Sequence, residues 1–295
     1  MTSVLSIRSW RSIVAWLPYV ILFVLLFWPT GQWMAERFDA QDSFYSHGWL
    51  VPLASAWLIW QRRERLRTCR LRASYAGLSL LIPMLVLHVI ATRLNLHFVS
   101  GFAMLGALWG LVWTCWGPNV LWALRAPLLF LLFMVPLPGI VLIATSFRMK
   151  LAAASLATRF LTLCGISAVQ AGSTIRVPGV SVIVDDTCSG LRSLISLVAL
   201  STLWTCVMPP SSKRWQKLTI VAASIPIALI ANMTRIIILV LLSAVYGPQI
   251  AEGFIHYGSG IVVFGVALAA LAWLSQALQR WSRPSAALAS PHSSS

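Results

Sequence analysis

The sequence predicts an all-α polytopic membrane protein with about eight transmembrane helices, a small interfacial helix on the outer side and a β-hairpin segment. Three observations carry that fold class. Of the 295 residues, 59% are hydrophobic and only 10% are charged, whereas soluble domains carry about 25% charged and about 45–50% apolar residues. One soluble core of this length cannot hide so many apolar side chains, so lipid must cover them. Runs long enough to cross a ~30 Å hydrocarbon layer, about 20 residues each as helix, recur along the chain, and the cations cluster in the short segments between them. Together these exclude a secreted disulfide scaffold, a disordered protein and a soluble enzyme.

The spans are expected near 13–34, 48–61, 74–92, 98–116, 120–143, 189–208, 217–245 and 255–279. Arg8 and Arg11 precede the first like the start of a signal peptide. Its apolar run is too long for a signal peptide, and no small-x-small site closes it, so it is read as a retained span. Eight spans put both termini on one side. That side then holds Arg8, Arg11, Arg62, Arg63, Arg65, Arg67, Arg70, Arg72, Arg125, Lys213, Arg214, Lys217, Arg280 and Arg283 against the single Glu64. The other side balances Arg37, Arg93, Arg148, Lys150, Arg159 and Arg176 with Glu36, Asp39, Asp42, Asp185, Asp186 and Glu252. By the positive-inside rule the basic side is cytoplasmic. The net charge of +15 is therefore a signature of topology, with the lipid bilayer as partner and no nucleic acid.

The one long segment outside the spans is 144–187, on the outer side. Ser146 to Leu163 sets basic residues among Ala and Leu, the pattern of a helix lying in the interface. Ser173 to Val184 carries two β-branched runs around Pro178-Gly179, and Pro-Gly suits the centre of a type II turn, so a hairpin is expected there. Residues 1–280 read as one transmembrane domain and 281–295, rich in Ser, Ala and Pro, as a disordered tail. The five cysteines (Cys69, Cys115, Cys164, Cys188, Cys206) form no CxxC pair and have no metal-like spacing with histidine, so no disulfide framework and no cofactor is expected.

Polar groups inside spans cost about 2.5–3.5 kcal/mol each when charged, and three clusters demand a reason. The first is Asp185-Asp186-Thr187-Cys188-Ser189-Gly190-Leu191-Arg192, where the outer loop enters the sixth span. With Thr187 or Asp186 as the cap, Cys188 falls in the first helical turn, where the unpaired N–H groups and the dipole favour a thiolate. Arg192 lies four residues on, on the same face. The plainer reading makes Cys188 a packing residue and lets Arg192 reach the headgroups. The second cluster is Asn232-Met-Thr-Arg235, with Asn232 and Arg235 on one face in the outer half of the seventh span. The third is Phe254-Ile-His256-Tyr-Gly258-Ser-Gly260, opening the eighth span; His256 can act as general acid and base, with His47 close behind as a competitor and His88 and His97 further off. A thiol, a guanidinium and an imidazole converging on the outer leaflet are the parts of acyl transfer: nucleophile, oxyanion stabiliser and proton shuttle.

These residues resemble a known family. Asp186-Thr-Cys188-Ser-Gly-Leu-Arg192-Ser, then Asn232-x-x-Arg235, then His256 is similar to the pattern of the exosortases, the bacterial branch of the exosortase/archaeosortase group. Ser46-His47-Gly48-Trp-Leu-Val-Pro52, Pro136-Leu-Pro138 and Gly172 to Pro178 also look like family signposts, so the resemblance covers roughly residues 45–262. It implies a membrane-embedded cysteine protease/transpeptidase of the bacterial inner membrane, acting near the outer leaflet. Its partners would be exported proteins ending in a Pro-Glu-Pro box, a transmembrane segment and a basic tail, in a setting often associated with exopolysaccharide, with a polysaccharide or lipid as a possible acceptor. Carried over, the nucleophile is Cys188, the catalytic arginine Arg235 and the histidine His256, with Arg192 and Asn232 supporting; spacing alone does not choose between Arg192 and Arg235. Two other readings compete: a non-enzymatic transporter or flippase for a lipid-linked or polysaccharide precursor, whose buried arginines bind phosphate, and an assembly subunit whose arginines serve packing alone.

Overall fold

The computed structural model describes residues 17–40, 43–184, 189–209, 211–247 and 254–281. The chain divides into two compact units, Met1–Leu137 and Pro138–Ser295.

In the first unit α1 (Leu17–Leu26) and α2 (Trp28–Asp39) meet at a bend of 63°. Pro29 lies in the first turn of α2, where its missing N–H costs nothing in the new helix but cannot continue the old one. The bend is pinned from the side by His88, whose Nε2 lies 3.2 Å from the Leu26 carbonyl and whose Nδ1 lies 2.7 Å from Ser100 Oγ. Ser100 in turn bonds Thr30, and the Phe27 ring packs on the imidazole. A 3-10 turn, Ser46–Trp49, leads into α3 (Leu50–Gln61), followed by the short α4 (Arg63–Thr68). The helices α5 (Leu78–Arg93) and α6 (His97–Trp116) pair closely because small residues let the backbones approach. A Cβ at Gly110 would meet the Leu81 backbone at 2.7 Å. The unit closes with α7 (Pro118–Phe130), which gives way to a 3-10 turn at Leu131–Met134.

The second unit contains α8 (Gly139–Leu163), strands β1 (Val169–Ala171), β2 (Thr174–Val177) and β3 (Val180–Ile183), then α9 (Leu191–Val207), α10 (Arg214–Tyr246) and α11 (Phe254–Trp281). The strands form one antiparallel sheet in the order β1-β2-β3. The expected hairpin is present: Val177 pairs with Val180 around Pro178-Gly179, and Gly179 has φ +87, as the third position of a type II turn requires. A further strand, β1, joins through Gly172-Ser173. One face of the sheet is apolar: Ile175, Val177, Val182 and Val184 pack with Ala154, Ala157 and Leu161 of α8 and with Ile236, Ile237, Leu239 and Val240 of α10. A second core joins α9, α10 and α11 around Leu197, Ile220, Ala228, Ala267 and Leu271. Two polar links tie these helices: Trp204 Nε1 donates to Ser275 Oγ at 2.9 Å, and the buried Gln216 Nε2 donates to the Leu278 carbonyl at 2.8 Å.

The chain is mostly helical, but the length and apolar character of its helices do not by themselves bear out the expected eight spans. Among the described residues five helices are long and apolar enough to cross a membrane, six if the bent pair α1–α2 is one span. The reasons are local. The span expected at 120–143 is interrupted at Pro136 and Pro138, which cannot donate within a helix; α7 ends at Phe130 and α8 starts at Gly139. The segment expected as a separate interfacial helix is the latter part of the 25-residue α8, which meets the length and composition of a span. α3 has only 12 residues, and α9, at 17 residues, starts at Leu191 instead of 189. Residues 282–295, most of the expected tail, lie outside the described residues.

Candidate active site

The site is built on α10. Its 33 residues place Asn232 and Arg235 nearly one turn apart on a common face, and both side chains are buried, 5% and 8% exposed. Against Asn232 lies the turn that opens α9. Gly190 is left-handed, φ +79, a conformation that glycine adopts without steric cost, and a Cβ there would stand 2.6 Å from Asn232 Cγ. The Asn232 amide therefore occupies the space that any other side chain at 190 would need. Ser189 is buried, and its Oγ accepts the Leu191 N–H at 3.3 Å, satisfying one of the open donors of the first turn of α9.

Arg235 reaches α11 instead. Its Nε donates to Ser259 Oγ at 3.4 Å, and its guanidinium lies beside the Gly260 backbone, 3.6 Å from where a Cβ would stand. A Cβ at Gly260 would stand in ordinary van der Waals contact with the guanidinium. A small cavity of about 10 Å³ borders both groups, lined among others by Ser193, Asn232, Arg235 and Gly260; that is roughly the room one water needs. The field of a guanidinium is stronger in a low-dielectric surrounding than in water. Chemically, the place offers a fixed positive charge with N–H donors at the meeting point of three helices.

Of the residues singled out in the sequence, the structure thus brings together Asn232, Arg235, the Ser189-Gly190 turn and the Ser259-Gly260 step. Arg192 is half-buried in the first turn of α9. Cys188 lies outside the described residues, next in sequence to the buried Ser189. His256 belongs by its backbone to the first turn of α11, and its side chain lies outside what is described. One expectation is corrected. α9 begins at Leu191, behind the left-handed Gly190, and not at 189, because a positive φ interrupts the helical path. The expected place of Cys188 in that first turn, and its four-residue relation to Arg192, fall outside the described residues.

The competing histidines have roles in the first unit. His88 is buried as the pin of the α1–α2 bend, and His97 stacks on Trp33 at 5.7 Å. His47 is half-buried beside the Tyr45 ring; burial lowers its pKa below the ordinary 6.5, with a hydrogen bond to the Phe133 carbonyl acting in the opposite direction. Two contacts were not foreseen from the sequence, Ser259 with Arg235 and Gly190 with Asn232. Their signal was the small residues inside the cysteine and histidine boxes, read as spacing and not as seats. Among the described residues no cluster of His, Cys, Asp and Glu could hold a metal ion.

The family model for the transmembrane exosortases matches residues 33–273, most of the chain. No curated protein and no solved structure matches it.

Proposed function

The chain belongs to the transmembrane exosortase family, and from that premise we propose that it is a membrane cysteine endopeptidase/transpeptidase that cleaves the C-terminal sorting signal of exported proteins. Family membership supports a membrane transpeptidase-like role in general. The observation that carries the finer reading is the convergence just described: on one face of α10 the turn after Cys188 packs on Asn232, and the early part of α11 packs on the buried Arg235 guanidinium.

In the proposed reaction the Cys188 thiolate attacks the scissile carbonyl of a substrate tail. The carbonyl electrons move onto oxygen, and the Arg235 N–H donors stabilise that oxyanion. Collapse breaks the C–N bond, His256 protonates the leaving amine, and the substrate's own transmembrane segment departs, leaving a Cys188 thioester. An acceptor then gives its proton to His256 and attacks the thioester, expelling and restoring the Cys188 thiolate; water yields hydrolysis, and a lipid or glycan nucleophile yields transfer. Asn232 supports the turn after the cysteine by packing on Gly190, and Arg192 supports from the first turn of α9. The substrate signal is a Pro-Glu-Pro box, a transmembrane segment and a basic tail, and the enzyme sits in the bacterial inner membrane. Its chain crosses eight times with both termini cytoplasmic, α3, α7 and α9 serving as short spans and α8 lying in the outer interface.

The test is co-expression with a tagged protein carrying such a tail. Wild type is expected to shorten the tagged protein and Cys188→Ala, at equal enzyme level, to leave it intact. Arg235→Gln should slow processing by about 10²–10³, the cost of removing an oxyanion donor. Processing that persists in Cys188→Ala would remove the thioester mechanism, and no processing by either would favour the transporter reading.

A further inference from the structure

The sheet beside the site has an open edge, and its backbone pattern specifies what can fill it. Antiparallel pairs alternate between hydrogen-bonded and non-bonded positions. Val177–Val180 flanks a two-residue turn and is a bonded pair, as is Ile175–Val182 two residues on; the Val184 N–H continues the ladder to the Ser173 carbonyl at 2.9 Å. The N–H and C=O groups of Ser181 and Ile183 therefore point away from β2. β3 is the last strand in the order β1-β2-β3, so among the described residues no strand lies on that side. Both side chains are exposed, Ile183 at 61%. Directly across from Ser181 on the same outward face stands Arg176, exposed and in no ion pair among the described residues.

An open strand edge is a template for another strand, and at a membrane its unsatisfied groups cost more than they do in water. Two features say which strand. β3 runs in sequence straight towards Cys188, five residues after Ile183, a distance an extended chain spans in at most about 17 Å. Its buried face also packs on Ile236 and Ile237, the residues that directly follow Arg235 in α10. β3 itself is thus anchored on the turn of α10 that follows the buried guanidinium.

We propose that β3 is the substrate-docking edge: an extended segment of the substrate adds as a fourth strand by main-chain hydrogen bonds to Ser181 and Ile183, with an acidic side chain against Arg176. This rests on the protease reading above and deepens it. Main-chain pairing supplies affinity without regard to sequence, while the side chain beside Arg176 supplies selectivity. The acid of a Pro-Glu-Pro box fits that position, and because every other group along a strand faces the pairing edge, a proline can take a position whose missing N–H faces away.

The experiment uses the full chain in membranes with the tagged substrate. Ser181→Pro deletes an outward N–H and leaves the ladder to β2 intact; it should slow processing about five- to tenfold, the loss of roughly one hydrogen bond. Arg176→Glu should slow it about three- to fivefold, as for an exposed ion pair, and a substrate whose box Glu is replaced by Lys should recover that loss. A photo-crosslinker at position 181 should trap the substrate. Wild-type rates in both variants, no recovery by the charge-swapped substrate, or crosslinks only to a second copy of the chain or to lipid would overturn the docking edge. If Cys188→Ala abolishes processing while these variants leave it unchanged, the protease reading stands and the docking edge falls; if wild type processes nothing, both fall.

Discussion

Gly190 concentrates two demands in one residue. Its φ of +79 is a conformation that costs other L-residues about 1–2 kcal/mol, and its missing Cβ is the space taken by the Asn232 amide. Gly190→Ala must therefore displace either the turn that follows Cys188 or the residue one helical turn before Arg235. We expect it to lower processing by at least tenfold at normal expression, measured as the rate of substrate shortening, while Gly172→Ala, also left-handed but in open space, costs stability alone. A second residue-scale prediction concerns His47. The folded protein holds its ring neutral below the ordinary pKa, so as pH falls through about 6.5 the unfolded chain takes up a proton that the folded chain does not. Stability contributed by the neutral ring is full above that pH and is lost on acidification. Thermal unfolding in detergent should show a steeper loss between about pH 6.5 and 5 for wild type than for His47→Gln; identical slopes would refute the shift.

At the scale of elements, what was legible in the sequence depended on whether a local signal was strong enough to stand without tertiary help. The long apolar runs of α5, α6, α10 and α11 were read close to their observed ends. The Pro178-Gly179 hairpin was also legible, because proline and glycine restrict the backbone themselves. The strand β1 was not: Val169-Gln-Ala171 is too short to show alternation, and it is recognisable only from its pairing with β2. Pro136 and Pro138 stand out as a motif, but hydropathy runs on through them and hides the break between α7 and α8. The site followed the same logic. Asn232 and Arg235 declared themselves as polar groups in an apolar run, and the structure buries both. The start of α9 is set by the left-handed Gly190, whose missing Cβ leaves the space taken by Asn232, 42 positions away in the sequence, and no local pattern carries that information.

For the whole molecule the decisive element is α8, because whether it crosses the bilayer decides the side on which everything after it lies. Its length and composition permit a crossing. Its charges argue otherwise: Arg148, Lys150 and Arg159 all lie within it, and a cation at the middle of a lipid-exposed helix costs about 2.5–3.5 kcal/mol. A crossing α8 would also send Lys213, Arg214 and Lys217 to the outer side, against the positive-inside rule, and would turn the sheet and the site towards the cytoplasm. With α8 in the interface, the basic α9–α10 turn stays inside and the site faces out. Cys164 distinguishes the two arrangements, since it directly follows α8 and is exposed. In a variant that keeps Cys164 as its only cysteine, a membrane-impermeant maleimide added outside intact spheroplasts is expected to label it. Labelling that requires the cells to be opened would place α8 across the membrane and put the candidate site on the cytoplasmic side, where a tail arriving from an exported protein could not meet it.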